Sequence, residues 1–427
     1  MNSLSFLAFA YSGYFFFCAI PHTPAARYTF LGLSLLVALW AIYQERASLK
    51  WRSPLLYAVS GFTVIAGLSA VISPYPTESL AAFRKEYLTP ALLILLAGIL
   101  PWSSQQSQRF ITFLIGGIGI GFLVKAMLAF WDGAITHPWI FSPYSNPEFF
   151  EQNGLPKYVS YFAVDAGLYI PLVLGSVLFW LGRSKIGILL LTSVLLAYGI
   201  VLISGIRTAF FVATVGISLP VLIRYAKPRH IVYLAVVTVL VAVGIIEVAK
   251  TNLEVQRYVE IFKPESYSKE KGMSDRYPIW QATSEIVAQR PILGFGPGWQ
   301  KIPTVAKETG LLDTWKGDAS YYAQRKVFWF SLTPGKTNPH NLAMQLLFET
   351  GWIGLIGYIG LLVGFVISAW NLRKATDTHF RWIGITVPVF MICYLVLCVT
   401  NGFLFPPSLV VLMIAVLVAS SAKNNVT

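Results

Sequence analysis

The sequence predicts an all-α, polytopic membrane protein of about 12 transmembrane helices with one large, mostly helical periplasmic loop. Three observations predict it. Apolar residues make up 56% of the 427-residue chain and charged residues only 12%, about half the charge density of a soluble protein. Apolar runs of roughly twenty residues recur along most of the length, each enough to cross about 30 Å of hydrocarbon. One segment, 250–339, interrupts them with charges of both signs and many aromatics. The formal charge of +13 would suggest nucleic acid in a soluble chain. Here it reflects loop bias, so membrane lipids are expected neighbours and no nucleic acid is.

The spans are expected near 4–20, 28–44, 54–73, 87–101, 110–131, 158–181, 186–204, 207–225, 231–249, 341–367, 382–400 and 403–421. The first follows Met1-Asn2-Ser3 without a basic stretch or a clear cleavage site, and is read as a retained span rather than a signal. Cys18, Cys393 and Cys398 all fall in apolar runs, which indicates neither a disulfide frame nor a thiolate metal site. Short loops alternate in charge. One set holds Arg46, Lys50 and Arg52; Arg109; Arg183 and Lys185; Arg224, Lys227 and Arg229; and Arg373, Lys374 and Arg381. The other holds only Arg27, Arg84, Lys85, Lys157 and Arg207. The positive-inside rule then makes both termini cytoplasmic and turns 250–340 outward. The organisation is spans one to nine in 1–249, a loop domain in 250–339, and spans ten to twelve in 340–427. Lys125 and Asp165 lie at similar depth in consecutive spans and are predicted to pair.

Within the loop, Tyr277 to Arg290 reads as a short amphipathic helix with Ile279, Trp280, Ile286 and Val287 on one side. Pro291-Ile-Leu-Gly-Phe-Gly-Pro-Gly298 stops it. The whole is expected to cap the outer membrane face, with the Pro- and aromatic-rich stretch 131–158 rimming the same site.

Thr337-Asn338-Pro339-His340-Asn341 carries the chemistry. Asn caps helices well and Pro favours the first helical position, so the tenth span is expected to start here with His340 in its first turn. A helix N-terminus keeps imidazole neutral and favours a bound anion such as phosphate. A base beside an anion site suits transfer from a phosphorylated donor. The plainer alternative is an interfacial cap. Gly351 and Gly354 follow deeper, where close helix packing is expected. Arg207 and Arg276 are placed to bind phosphate oxygens bidentately and to neutralise a pyrophosphate leaving group. Interfacial snorkelling of Arg207, and a surface ion pair of Arg276 with Asp275 or a neighbouring glutamate, are the alternatives. Arg84 and Lys85 would add positive field at the same surface, or simply anchor it. Glu349, deeper on the helix, is expected to point away from His340. The loop shows no Asp-x-Asp pair, His cluster or cysteine, so neither metal nor cofactor is expected.

These residues resemble the O-antigen ligase family. Its hallmark, His-Asn/Ser/Gln, nine residues, then Gly-x-x-Gly/Thr/Tyr, reads here as His340-Asn341, Leu342 to Thr350, Gly351-Trp-Ile-Gly354. The topology is similar too, and the family's arginines match Arg207 and Arg276 by position. The resemblance implies a metal-independent, inverting C-type glycosyltransferase of a Gram-negative inner membrane, its active site facing the periplasm. The donor would be O-antigen on undecaprenyl pyrophosphate and the acceptor the lipid A–core oligosaccharide. It further implies His340 as base, Arg207 and Arg276 on the pyrophosphate, and Asn341, Arg84 and Lys85 on substrate. O-antigen polymerases and protein O-oligosaccharyltransferases use the same donors. A multispan transporter would explain the spans but not an aromatic cap carrying arginines, and no inverted repeat supports it.

Overall fold

The computed structural model describes residues 3–51, 53–131, 157–178, 185–204, 206–225, 243, 246–247, 250, 276–331, 338–375, 377–402 and 404–423. Most of the expected ninth span, the 131–158 rim, residues 251–275 including Asp275, Thr337, and Arg52, Arg183, Lys227 and Arg229 lie outside them. The described residues are helical, with no strand among them.

The first half runs α1 (Ser3–Ala19), α2 (Pro24–Gln44), α3 (Pro54–Val71), α4 (Pro76–Ala82), a π-helical turn (Phe83–Leu88), α5 (Thr89–Gly98), α6 (Ser104–Trp131), α7 (Lys157–Ser176), α8 (Lys185–Ile203) and α9 (Arg207–Arg224). Pro24, Pro54 and Pro76 open their helices, where a missing N–H costs nothing. The second half runs α10 (Arg276–Val287), a 3-10 turn (Trp299–Lys301), α11 (Ile302–Glu308), α12 (Leu311–Lys316), α13 (Tyr321–Phe330), α14 (Leu342–Leu372), α15 (Thr378–Thr400) and α16 (Pro407–Lys423).

Among the described residues, seven helices are long and apolar enough to cross a membrane, namely α2, α3, α6, α8, α9, α14 and α15, and three shorter apolar ones begin at Ser3, Phe162 and Pro407. Large apolar side chains such as Leu36, Trp40, Leu195, Ile356 and Val363 stand exposed on them. Such surface is tolerable only against lipid or a partner, and it makes this a polytopic membrane architecture. The expected fourth span, 87–101, takes in the last two residues of the π turn and the ten residues of α5.

The spans pack through small residues. α6 lies against α1, where a Cβ on Gly117 would come 2.5 Å from Ser12 O and one on Gly121 2.5 Å from Phe16 O. Such close approach drives helix association in lipid. α7 sits between α6, α8, α9 and α15. Lys125 of α6 and Asp165 of α7 form the predicted ion pair, with side chains 18% and 31% exposed.

A second apolar core lies outside the spans. Ile279, Ile286, Phe295, Ile302, Val305, Leu312, Trp315 and Phe330 close around Leu347 and Phe348 of α14. Glu285 ties this cap together: Oε1 pairs with Lys326 Nζ at 2.6 Å and Oε2 accepts from Trp315 Nε1 at 2.6 Å. The cap is thus seated on the first turns of α14.

Candidate functional site

α14 is not one rod. Gly351 sits at φ 63°, ψ −165° in the middle of it. Residue 350 and those before it form one helical stretch, and Trp352 starts another. A break strands backbone groups that membrane or core burial would penalise. The glycine-rich loop supplies their partners. Trp352 N–H donates to Pro291 O at 2.8 Å, Ile353 N–H to Ile292 O at 3.3 Å, and Phe295 N–H to Phe348 O at 2.7 Å. Ser69 of α3 donates to Leu293 O and Glu349 O, at 2.6 and 2.7 Å. The loop lies so close that a Cβ on Gly294 would sit 2.5 Å from Phe348 O, and one on Gly351 would strike the Ile292 backbone. Gly351 therefore serves a positive φ and a loop crossing, not the helix packing expected of it.

The start of α14 also differs from expectation. Asn341, not Asn338, is the N-cap, its side chain accepting from Met344 N–H at 3.2 Å. Asn338 instead makes a side-chain turn, accepting from His340 N–H at 2.7 Å. His340 is held before the helix at φ 50°, a conformation that costs a non-glycine residue of order 1–3 kcal/mol and concentrates at functional sites. The cap helix reaches this segment directly, because Trp280 Nε1 donates to Pro339 O at 2.9 Å.

His340 is half-buried, and its ring nitrogens make no hydrogen bond to protein among the described residues. Burial, and then the nearby Arg276 guanidinium, push its pKa below the usual imidazole range. Both effects favour the neutral ring. Burial also lowers the pKa of Arg276, although guanidinium stays protonated at any working pH. A neutral acceptor nitrogen thus stands near a fixed positive charge.

Behind them lies a buried polar network. Glu349 is fully buried, which would cost several kcal/mol without partners. Its Oε1 accepts from Trp299 N–H at 2.9 Å and Gln345 Nε2 at 3.1 Å, and Tyr87 OH donates to Oε2. Lys301 Nζ donates to Ser79 Oγ and Pro297 O, each at 2.6 Å. Burial pulls its pKa down to about 8 against the opposing pull of Glu349, Glu78 and Glu86. The network clamps the loop, the π turn and α14 in one register.

The structure brings His340 and Arg276 together and sets Asn341 as the cap beneath them. Arg207 opens α9, half-buried, on a helix packed against α7 and α15, and it is not among the charges that shift His340. Arg84 and Lys85 are exposed on the π turn, with Lys85 lining a cavity beside α14. Glu349 does point away from His340, but as the centre of the clamp. Gln345, Trp299 and Lys301 were not foreseen. A signal existed for the first: Asn341, Gln345 and Glu349 recur every fourth residue, a polar stripe down one face of an otherwise apolar helix.

No curated protein matches the chain. The model of the O-antigen ligase family matches residues 170–359, a region holding Arg207, Arg276, the glycine loop, His340 and both glycines of the Gly351-Trp-Ile-Gly354 pattern. Over that region the chain is similar to the O-antigen ligase family, as the resemblance implied.

Proposed function

We propose that the protein is an O-antigen ligase, a metal-independent inverting glycosyltransferase of a bacterial inner membrane with its active site facing the periplasm. It moves O-antigen polysaccharide from undecaprenyl pyrophosphate to lipid A–core oligosaccharide. The observation that carries this reading is a half-buried His340, favoured neutral, beside Arg276 at the mouth of α14.

On this reading the His340 ring takes the proton from an acceptor hydroxyl. The oxygen attacks the anomeric carbon from the face opposite the diphosphate, forming the new C–O bond. The bond to the diphosphate breaks, and its electron pair leaves with undecaprenyl pyrophosphate. Arg276, with Arg207 brought in by substrate, meets the charge developing there. General-base transfer contributes about 10²–10⁴-fold.

Reconstitution with lipid-linked O-antigen and separate acceptors tests it. Product on lipid A–core is expected from the unmodified chain. His340→Ala should lose about 10²–10⁴-fold in rate while remaining folded in the membrane. Ligation retained in that variant sinks the base assignment. Longer lipid-linked chains as the product would make it a polymerase, and glycosylated protein an oligosaccharyltransferase.

A further inference from the structure

The cavity beside the first turns of α14 has a volume of about 290 Å³, with Gln345, Lys85, Glu86, Trp299, Leu404 and Phe405 among its walls. That is near the lower end of ligand-sized cavities, about 300 Å³ upward. Gln345 is the informative wall. It is only 2% exposed, and its Nε2 donates to Glu349 Oε1. The assigned orientation of the amide turns Nε2 to Glu349 and Oε1 away from it. Among the described residues, Oε1 is left buried without a hydrogen-bond partner, at a cost on the order of 1–3 kcal/mol. Gly402 lies against this oxygen, where any Cβ would collide with it.

A ligand filling the space must therefore bring a donor to Gln345 Oε1. Ionised diphosphate offers acceptors alone and would also face the Glu86 carboxyl. A sugar hydroxyl both donates and accepts, so it can serve Oε1 and take a hydrogen bond from Lys85. Aromatic walls at Trp299 and Phe405 suit the C–H faces of a pyranose. The geometry points to this cavity as a sugar subsite, in which a ring hydroxyl donates to Gln345 Oε1. It rests on the transferase reading for its role in the reaction, not for the binding itself. The ring belongs either to the acceptor or to the first sugar of the donor.

Titration calorimetry on the full-length protein in nanodiscs tests it with two probes: free core oligosaccharide, and a short-chain lipid diphosphate carrying the first donor sugar. One probe should bind the unmodified chain and lose roughly tenfold in affinity in Gln345→Leu, the loss of about one hydrogen bond. Gly402→Ala puts a Cβ 2.0 Å from Gln345 Oε1 and must push that amide aside, so it should weaken the same probe. Loss on the oligosaccharide arm assigns the acceptor, and loss on the other arm the donor sugar. Equal affinities in all three proteins, or inorganic pyrophosphate as the Gln345-dependent ligand, overturn the subsite. Gln345-dependent sugar binding without any glycosidic product overturns the transferase reading and leaves the subsite standing.

Discussion

A histidine in left-handed backbone is expensive, and the neighbours of His340 make it the only conformation available. Asn338 holds its N–H, Trp280 holds the preceding carbonyl, and Asn341 takes over the cap. The ring is thereby released from helix duty. Its depressed pKa sets a testable sign. The base works when neutral, so activity should fall as pH drops through a pKa below the usual imidazole range. Arg276→Gln removes the positive charge that disfavours imidazolium, so the acidic limb of the pH–rate profile should move to higher pH, alongside a rate loss of about 10²–10³-fold. An unmoved limb would refute the electrostatic link. The motif spacing singles out His340, but its backbone was not legible. Asn338-Pro339 and Asn341 are both good cap signals, and only the Trp280 contact, from a residue 59 positions away in sequence, selects the second.

Among the elements, α10 was legible almost to the residue because its apolar spacing and the Pro291 stop are local. The break in α14 was not, since glycines in an apolar helix signal close packing far more often than a kink. The deciding partner, the 291–295 loop, is remote in sequence. Gly351→Ala should be severe: a backbone conformation essentially reserved for glycine costs on the order of 1–3 kcal/mol before the collision with Ile292 is counted. Gly360, on the same helix with open space around it, is the control. Gly360→Ala should be neutral or stabilising by up to about 1 kcal/mol. Thermal unfolding in detergent compares them, and equal midpoints would contradict a structural break at Gly351.

At the scale of the molecule, composition told the fold class, and the charge pattern predicts sidedness. In a cysteine-free background, Lys316→Cys should react with an impermeant maleimide applied from outside. Arg46→Cys, in an exposed connection after α2, should react only after permeabilisation. The reverse pattern would invert the topology and put the site on the wrong side for a lipid-linked polysaccharide. The 290 Å³ cavity was illegible because its walls come from α1, the π turn, α5, the 3-10 turn, α14, α16 and the residues just before it, which only folding brings together.

The break at Gly351 also works as a depth gauge. An unbroken helix of the 31 residues in α14 would rise about 46 Å, well beyond a hydrocarbon core of about 30 Å. From Trp352 to Leu372 the rise is about 31 Å, a close fit to that thickness. The helix therefore ends its membrane crossing at the break and continues above it as a pedestal. Leu342 to Thr350 add about 13 Å of helix above the break, so His340 stands clear of the hydrocarbon, on the side of the cap.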